Sequence, residues 1–339
     1  MVRELSAAGR VGRRARATSG GRALLLGLFV RRVVQGILTL FAAVTLIFAG
    51  TNLLPGNIAA TILGQTATPS AVHAMERELG LDQPVLVRYG RWLGNLAHGE
   101  FGDSYTTRAP VGQAVAPRLF YTLVLAASAA FIAVPLSLVL GMLAVLRRGG
   151  WLDRCIVAGM RLSVALPEFF IGYLLIALFS VSLQWLPSSA ADAGSGSLGA
   201  WFTSLALPCA TLVLAILGHM TSMTRAALLD VMAQPFVEMA QLKGLPPRRV
   251  IVRHALPNAI APIVSIVALN LAYLTVGAVV VETIFVYPGL GQYMVDSVVK
   301  RDVPAVQACG VVFGALYVGL NLLADLVSIA ANPRLRHPR

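Results

Sequence analysis

The sequence predicts an all-α integral membrane protein with six transmembrane helices, and three observations predict it. Its 339 residues are 57% hydrophobic and 12% charged, with a mean hydropathy of +0.76, against about 25% charged residues in an average soluble domain. Six apolar stretches reach the length of about 20 residues that a helix needs to cross a bilayer: Val33–Leu54, Leu119–Leu146, Leu162–Leu186, Leu205–Met232, Asn258–Phe285 and Ala305–Ala331. With the first end in the cytoplasm, 20 of the Lys and Arg residues fall on the cytoplasmic side and 7 outside. That asymmetry sets the orientation and puts both termini in the cytoplasm. The net charge of +12 therefore reports topology, and nucleic acid is excluded as a partner. The lipid bilayer takes its place.

Residues 1–32 form a basic cytoplasmic tail, of which the first 22, rich in Arg, Gly, Ala and Ser, are expected to lack structure. An Arg-rich start before an apolar run also suits a secretory signal. Here the run exceeds the usual length of about 7–15 residues and no cleavage site is convincing, so a retained helix over 33–54 is favoured, with Arg31 and Arg32 as interfacial anchors. Residues 55–118 make an external helical segment. Thr68 caps a helix that starts at Pro69 and stops near Gly80, and Val85, Tyr89, Trp92, Leu93 and Leu96 share one face of a second. That face suits packing on the outer ends of the membrane helices; a lipid-binding role is the alternative.

Glu168 follows Pro167 just inside the third span. An ionisable residue at membrane depth is a functional candidate, and a hydrated position at the interface is the other reading. Gly194 to Gly199 formally spells a dinucleotide fingerprint but has no strand before it. Cys155, Cys209 and Cys309 have no paired spacing, so neither a disulfide framework nor a metal site is expected. No catalytic motif appears, so the chain is not expected to be an enzyme or to hold a cofactor.

The polar, basic stretch 234–257 separates two apolar segments and is long for a simple connection. Gly244 suits the left-handed end of a short helix over Phe236–Lys243, and Pro246 and Pro247 suit the first turn of a second that Pro257 limits. A solvated basic loop is the plainer reading. The order of residues resembles the cytoplasmic coupling loop of ABC importer permeases: Glu238, Ala240, Gly244, Leu256 and Pro257 fall in register, with Met239 and His254 departing from the general pattern. Phe236-Val237, Lys243-Gly244-Leu245, His254, Asn258 and Pro262 follow the peptide and nickel branch. Leu79 to Pro84, Gly99 to Gly102, Glu282 to Phe285, Tyr287 to Gly291, Arg301-Asp302-x-Pro304 and Asn332-Pro333-Arg334 extend the likeness over residues 30–336.

The resemblance implies a permease core over 119–336 in a bacterial cytoplasmic membrane, moving di- or oligopeptides inward. Glutathione, nickel or a metallophore is the alternative cargo. It implies as partners two cytoplasmic ATPases that bind ATP and Mg, a homologous second permease forming a heterodimer, and an external substrate-binding protein. Phe236, Glu238, Ala240, Lys243, Gly244, Leu245, His254, Leu256 and Pro257 become the ATPase-coupling residues. Asn270, Tyr273 and Glu282 lie on the fifth span, which in that family helps line the translocation path, although polar residues there suit close helix packing equally. An ion-coupled secondary transporter using Glu168 and Asp325 is the reading from another class.

Overall fold

The computed structural model describes residues 2–53, 56–193 and 197–331. Its thirteen α-helices there are α1 (Val2–Leu53), α2 (Ile58–Leu63), α3 (Pro69–Glu78), α4 (Val85–Ala97), α5 (Val111–Leu146), α6 (Trp151–Ala165), α7 (Glu168–Leu175), α8 (Leu198–Met232), α9 (Pro235–Leu242), α10 (Pro247–Val250), α11 (Leu256–Ile284), α12 (Leu290–Val299) and α13 (Val303–Ala331). Among the described residues no β-strand forms, and Asp103 and Pro110 make one isolated bridge.

Among the described residues five helical runs are long and apolar enough to span a membrane: Phe29–Leu53, Val111–Leu146, Gly199–Met232, Pro247–Ile284 and Val303–Val327. The expected third span is not one helix. It is α6 followed by α7 and the π-helical stretch Ile176–Ser182, bent by 104°. Proline explains the break: Pro167 supplies no N–H, and it drives Leu166 into an extended conformation with ψ 126°. Two further expectations change. The backbone of residues 2–22 is helical and continuous with the first span, because Ala, Arg and Leu are strong helix formers that outweigh the glycines. The second coupling helix is not limited by Pro257. A π turn at Ile251–Ala255 shifts the hydrogen-bond register just before that proline, so its missing N–H falls in the first turn of α11.

The bundle is built on the parallel pair α5 and α8, whose contacts advance together from Leu125 with Leu205 to Val145 with Leu228, with α11 across them and α13 joining α11 to α1. Leu125, Ala129, Leu205, Leu212, Leu274, Val281, Phe285 and Tyr287 form the largest buried cluster. At the end opposite 234–257, α3 and α4 make a cap. Thr68 Oγ1 accepts the Ala71 N–H at 3.3 Å and Pro69 opens α3, as the sequence predicts. The stripe on α4 meets α1: Tyr89 and Trp92 lie 5.0 and 5.4 Å from the Phe48 ring, and the Tyr89 hydroxyl bonds Thr45 Oγ1 at 2.8 Å. Asp302 ties the loop after the cap to the base of α13. It accepts Ser104 Oγ at 2.5 Å, Thr106 Oγ1 at 2.9 Å and the Tyr105 N–H at 3.0 Å.

At the other end, Arg225 makes a forked contact with Asp153 (3.1 and 3.2 Å), and Asp153 also accepts the Gly149 N–H at 3.0 Å. These contacts hold the turn before α6 against α8. Asp325, one of the two acids that an ion-coupled transporter would use, pairs with Arg32 at 3.2 Å in a partly exposed bridge between α13 and α1. The stretch Asn332-Pro333-Arg334-Leu335-Arg336 and the first half of the Gly194–Gly199 run lie outside the described residues.

Candidate coupling surface and translocation face

The helix α9 is short, opened by Pro235, closed by a turn at Gly244 and divided into two faces. Val237 and Ala240 point inward and pack on Val250, with Val231, Met232 and Leu245 around them. The opposite face is also apolar: Phe236, Met239 and Leu242 are 46%, 54% and 75% exposed. They recur every third residue, so they line one side of the helix.

What holds this face in place is the turn behind it. Gly244 adopts φ +75°, a left-handed conformation that costs glycine little. The Gly244 N–H reaches the Gln241 carbonyl at 2.9 Å and the Leu245 N–H the Ala240 carbonyl at 3.4 Å. This pair of bonds, with Leu245 packed back on Ala240, is the Schellman ending. The turn then leads through α10 and the π turn straight into α11. Pro247–Ile284 is thus one helical run of 38 residues from the loop to the cap end.

Of the residues singled out in the sequence, Phe236 belongs to the stripe, Glu238 and Lys243 are exposed beside it, and Gly244 shapes the turn. Ala240 and Leu245 are packing residues. His254 gives its carbonyl to Asn258 Nδ2 at 2.7 Å, Leu256 packs against the α8–α11 cluster, and Pro257 is exposed in the first turn of α11. Sequence reasoning missed Met239 and Leu242. The signal was the apolar repeat at 236, 239 and 242, on the face that the buried pair 237 and 240 leaves free.

Along α11 the three expected path residues separate. Tyr273 is 53% exposed on the bundle surface. Asn270 is buried; its Oδ1 pairs with His219 Nδ1 at 3.2 Å and its amide donates to the Ile266 carbonyl at 2.8 Å. His219, on α8, is itself exposed, and no local motif marks it. Glu282 is not on an open face and has no exposed surface. Its Oε1 accepts Thr122 Oγ1 at 2.6 Å, and its Oε2 accepts the N–H groups of Gly291 at 2.7 Å and Gln292 at 3.2 Å. Thr122 Oγ1 in turn accepts the Leu290 N–H at 2.8 Å. The first three N–H groups of α12, which have no partner within their own helix, are thereby satisfied from α11 and α5. Glu282 is a fastener of the fold.

The approach is close enough to require glycine. A Cβ on Gly291 would lie 2.5 Å from the Val279 Cα, and one on Gly289 would overlap the Glu282 carboxyl group. Beside this knot Tyr287 donates to the Tyr121 carbonyl at 3.0 Å, and burial raises its phenol above the ordinary value. Among the described residues no group of three or more His, Cys, Asp or Glu could hold a metal ion. The three cysteines are free thiols.

Residues 115–337 match the family described as "Binding-protein-dependent transport system inner membrane component", and residues 25–126 match its N-terminal region. A peptide transport system permease protein of Brucella melitensis is 37% identical over 314 residues, which are 93% of this chain and all of that one. The chain belongs to the binding-protein-dependent permease family. Another relative, the glutathione transport system permease protein GsiC of Escherichia coli K12, is 34% identical over 313 residues, 92% of this chain and all of that one. A chain of the MetNI methionine ABC transporter, solved in inward-facing conformations, matches with a TM-score of 0.55 and 17% identity. That match covers 64% of this chain and 96% of the MetNI chain, and it shows a shared fold. The permease is thus a multi-pass inner-membrane component of an ABC transport system, a family that works with a binding protein and an ATPase.

Proposed function

We propose that the chain is one permease subunit of an ATP-driven importer that carries di- or oligopeptides into the cell. The observation that carries this reading is the exposed apolar stripe Phe236, Met239 and Leu242, set at a fixed angle by the Gly244 turn and joined without interruption to a spanning helix. A water-facing apolar stripe on a rigid helix marks a docking surface, and the partner here is a cytoplasmic ATPase. Glu238 and Lys243 flank the contact. Ala240, Gly244, Leu245, His254, Leu256 and Pro257 hold its shape.

The partners are two ATPase subunits that bind ATP and Mg, a homologous second permease and an external binding protein, with both termini of this chain in the cytoplasm. Tyr273 and the His219–Asn270 pair face the translocation path. The names of the Brucella and Escherichia relatives support peptides as cargo, since glutathione is itself a small peptide. ATP binding closes the ATPase pair, moves α9 as a rigid body and shifts the bundle between its two openings; that shift requires a free-energy difference between states, which ATP supplies.

The test is copurification from the native membrane in mild detergent. The wild-type chain is expected to bring down ATPase activity, a second permease and the binding protein. Leu242→Asp removes an apolar anchor worth about 1.5–3 kcal/mol and should lower ATPase recovery about tenfold or more, with membrane insertion and the second permease retained. Full ATPase recovery by Leu242→Asp and Phe236→Asp alike would overturn the assignment of α9.

A further inference from the structure

The broken third span leaves a carboxyl group that the fold does not use. Leu166 and Pro167 interrupt the helix at membrane depth, where irregular backbone is stable only against protein or a water-filled cavity. Glu168 is the first residue of α7 and is half-buried. Among the described residues its side chain has neither a hydrogen bond nor an ion pair. Asp153 and Asp325 are paired with arginines, and Glu282 and Asp302 are each satisfied by three donors.

The carboxyl group lies against Gly277 of α11, whose lack of a side chain makes room for it. A Cβ there would stand 2.7 Å from Glu168 Oε2. Gly277 is about 10 Å short of the Ile284 end of α11 at 1.5 Å per residue, so this position is within the apolar layer. Tyr273 stands one turn from Gly277 on the same face of α11, with its ring 53% exposed. An unpaired acid at this depth suits a cation, through charge.

Resting on the importer reading, we propose that Glu168 is the point in the translocation path that receives the ammonium group of a passing peptide, and that it makes the path select for a free N-terminus. Peptides differ in their side chains but share that ammonium at neutral pH. One unpaired acid serves them all without a side-chain pocket. A charge-assisted contact at this depth changes passage by about tenfold or more.

The experiment uses the whole complex in proteoliposomes, with ATP inside and binding protein outside at saturating peptide. Copurification and ATP-dependent uptake by the wild type test the importer reading by themselves. Glu168→Gln is expected to slow a tripeptide with a free N-terminus about tenfold, to slow its N-acetylated form less than twofold, and to leave the second permease bound. Glu168→Asp is expected to restore most of the rate. Equal slowing of both peptides, loss of the second permease, or no slowing would overturn the proposal: the first two make Glu168 structural, and the third makes it idle. Because one binding protein serves wild type and variant, the change in the ratio of the two peptides belongs to the permease.

Discussion

Replacing Glu282 with Ala tests whether this acid fastens the fold. The substitution leaves the Gly291 N–H, the Gln292 N–H and the Thr122 hydroxyl without their acceptor. Gln292 is half-buried and regains water, while Gly291 and Thr122 are sealed. Two sealed donors at about 1–3 kcal/mol each, together with the cavity, give a loss of about 3–5 kcal/mol. Glu282→Gln is the control. Its carbonyl still accepts both N–H groups, and its amide donates to Thr122, whose hydroxyl gives up one donor bond, so about 1 kcal/mol is lost. Thermal midpoints in one detergent at one heating rate read the difference, since membrane-protein unfolding is irreversible and scan-dependent. Glu282→Ala should fall by more than about 5 °C and Glu282→Gln by about 2 °C. Equal midpoints for wild type and Glu282→Ala, or equal damage from both variants, would refute the fastener and return Glu282 to the translocation path.

Asp153→Ala should lower stability by about 1–3 kcal/mol, because Arg225 and the Gly149 N–H lose their common acceptor while Arg225 keeps some access to water; limited proteolysis should then cut near Arg147 and Arg148. In the cap, hydrogen bonds from Asn57 and then His73 hold the Glu76 carboxyl below its ordinary range. Its contribution is therefore complete above the unfolded value of about 4.3 and lost as pH falls through the lower folded value, so the midpoint gap between wild type and Glu76→Gln should be present at neutral pH and vanish in acid.

The parts of this fold legible in the sequence are those set by composition and by punctuation. Apolar length marked the spans, Thr68-Pro69 marked the start of α3, and Gly244 marked the end of α9, because each acts through its own backbone. Pro167 was visible too, yet its effect was not: whether a proline kinks a span or breaks it depends on what the neighbours can satisfy, and α8 and α11 take up α7 at a new angle. Glu282 misled for a related reason. A carboxyl group near the end of an apolar helix looks the same in sequence whether it meets water or three donors, and its partners are 160 residues away in α5 and 9 and 10 residues ahead in α12. His219 was invisible because its significance comes from Asn270 on another helix.

The two ends of α11 give the proposed coupling a physical form. At one end the run begins at the α9 turn, and at the other Glu282 fastens it to α12 and α5. Between them lie 38 residues of continuous helix, about 57 Å at 1.5 Å per residue, and a packed helix resists bending enough to move as a rod. One section is softer: the π turn Ile251–Ala255, where the ladder is already out of register. A push on Phe236, Met239 and Leu242 is therefore either absorbed at that turn or carried to the cap end, depending on how tightly Val250 and Ile251 are held. Both are buried, Val250 against α9 and Ile251 against the α8–α11 cluster. In the proposed coupling the burial of these two side chains closes the soft section, so a tilt of α9 would be carried into α11. Tyr273 and Gly277 would then move with it, and with them the surface on which Glu168 rests.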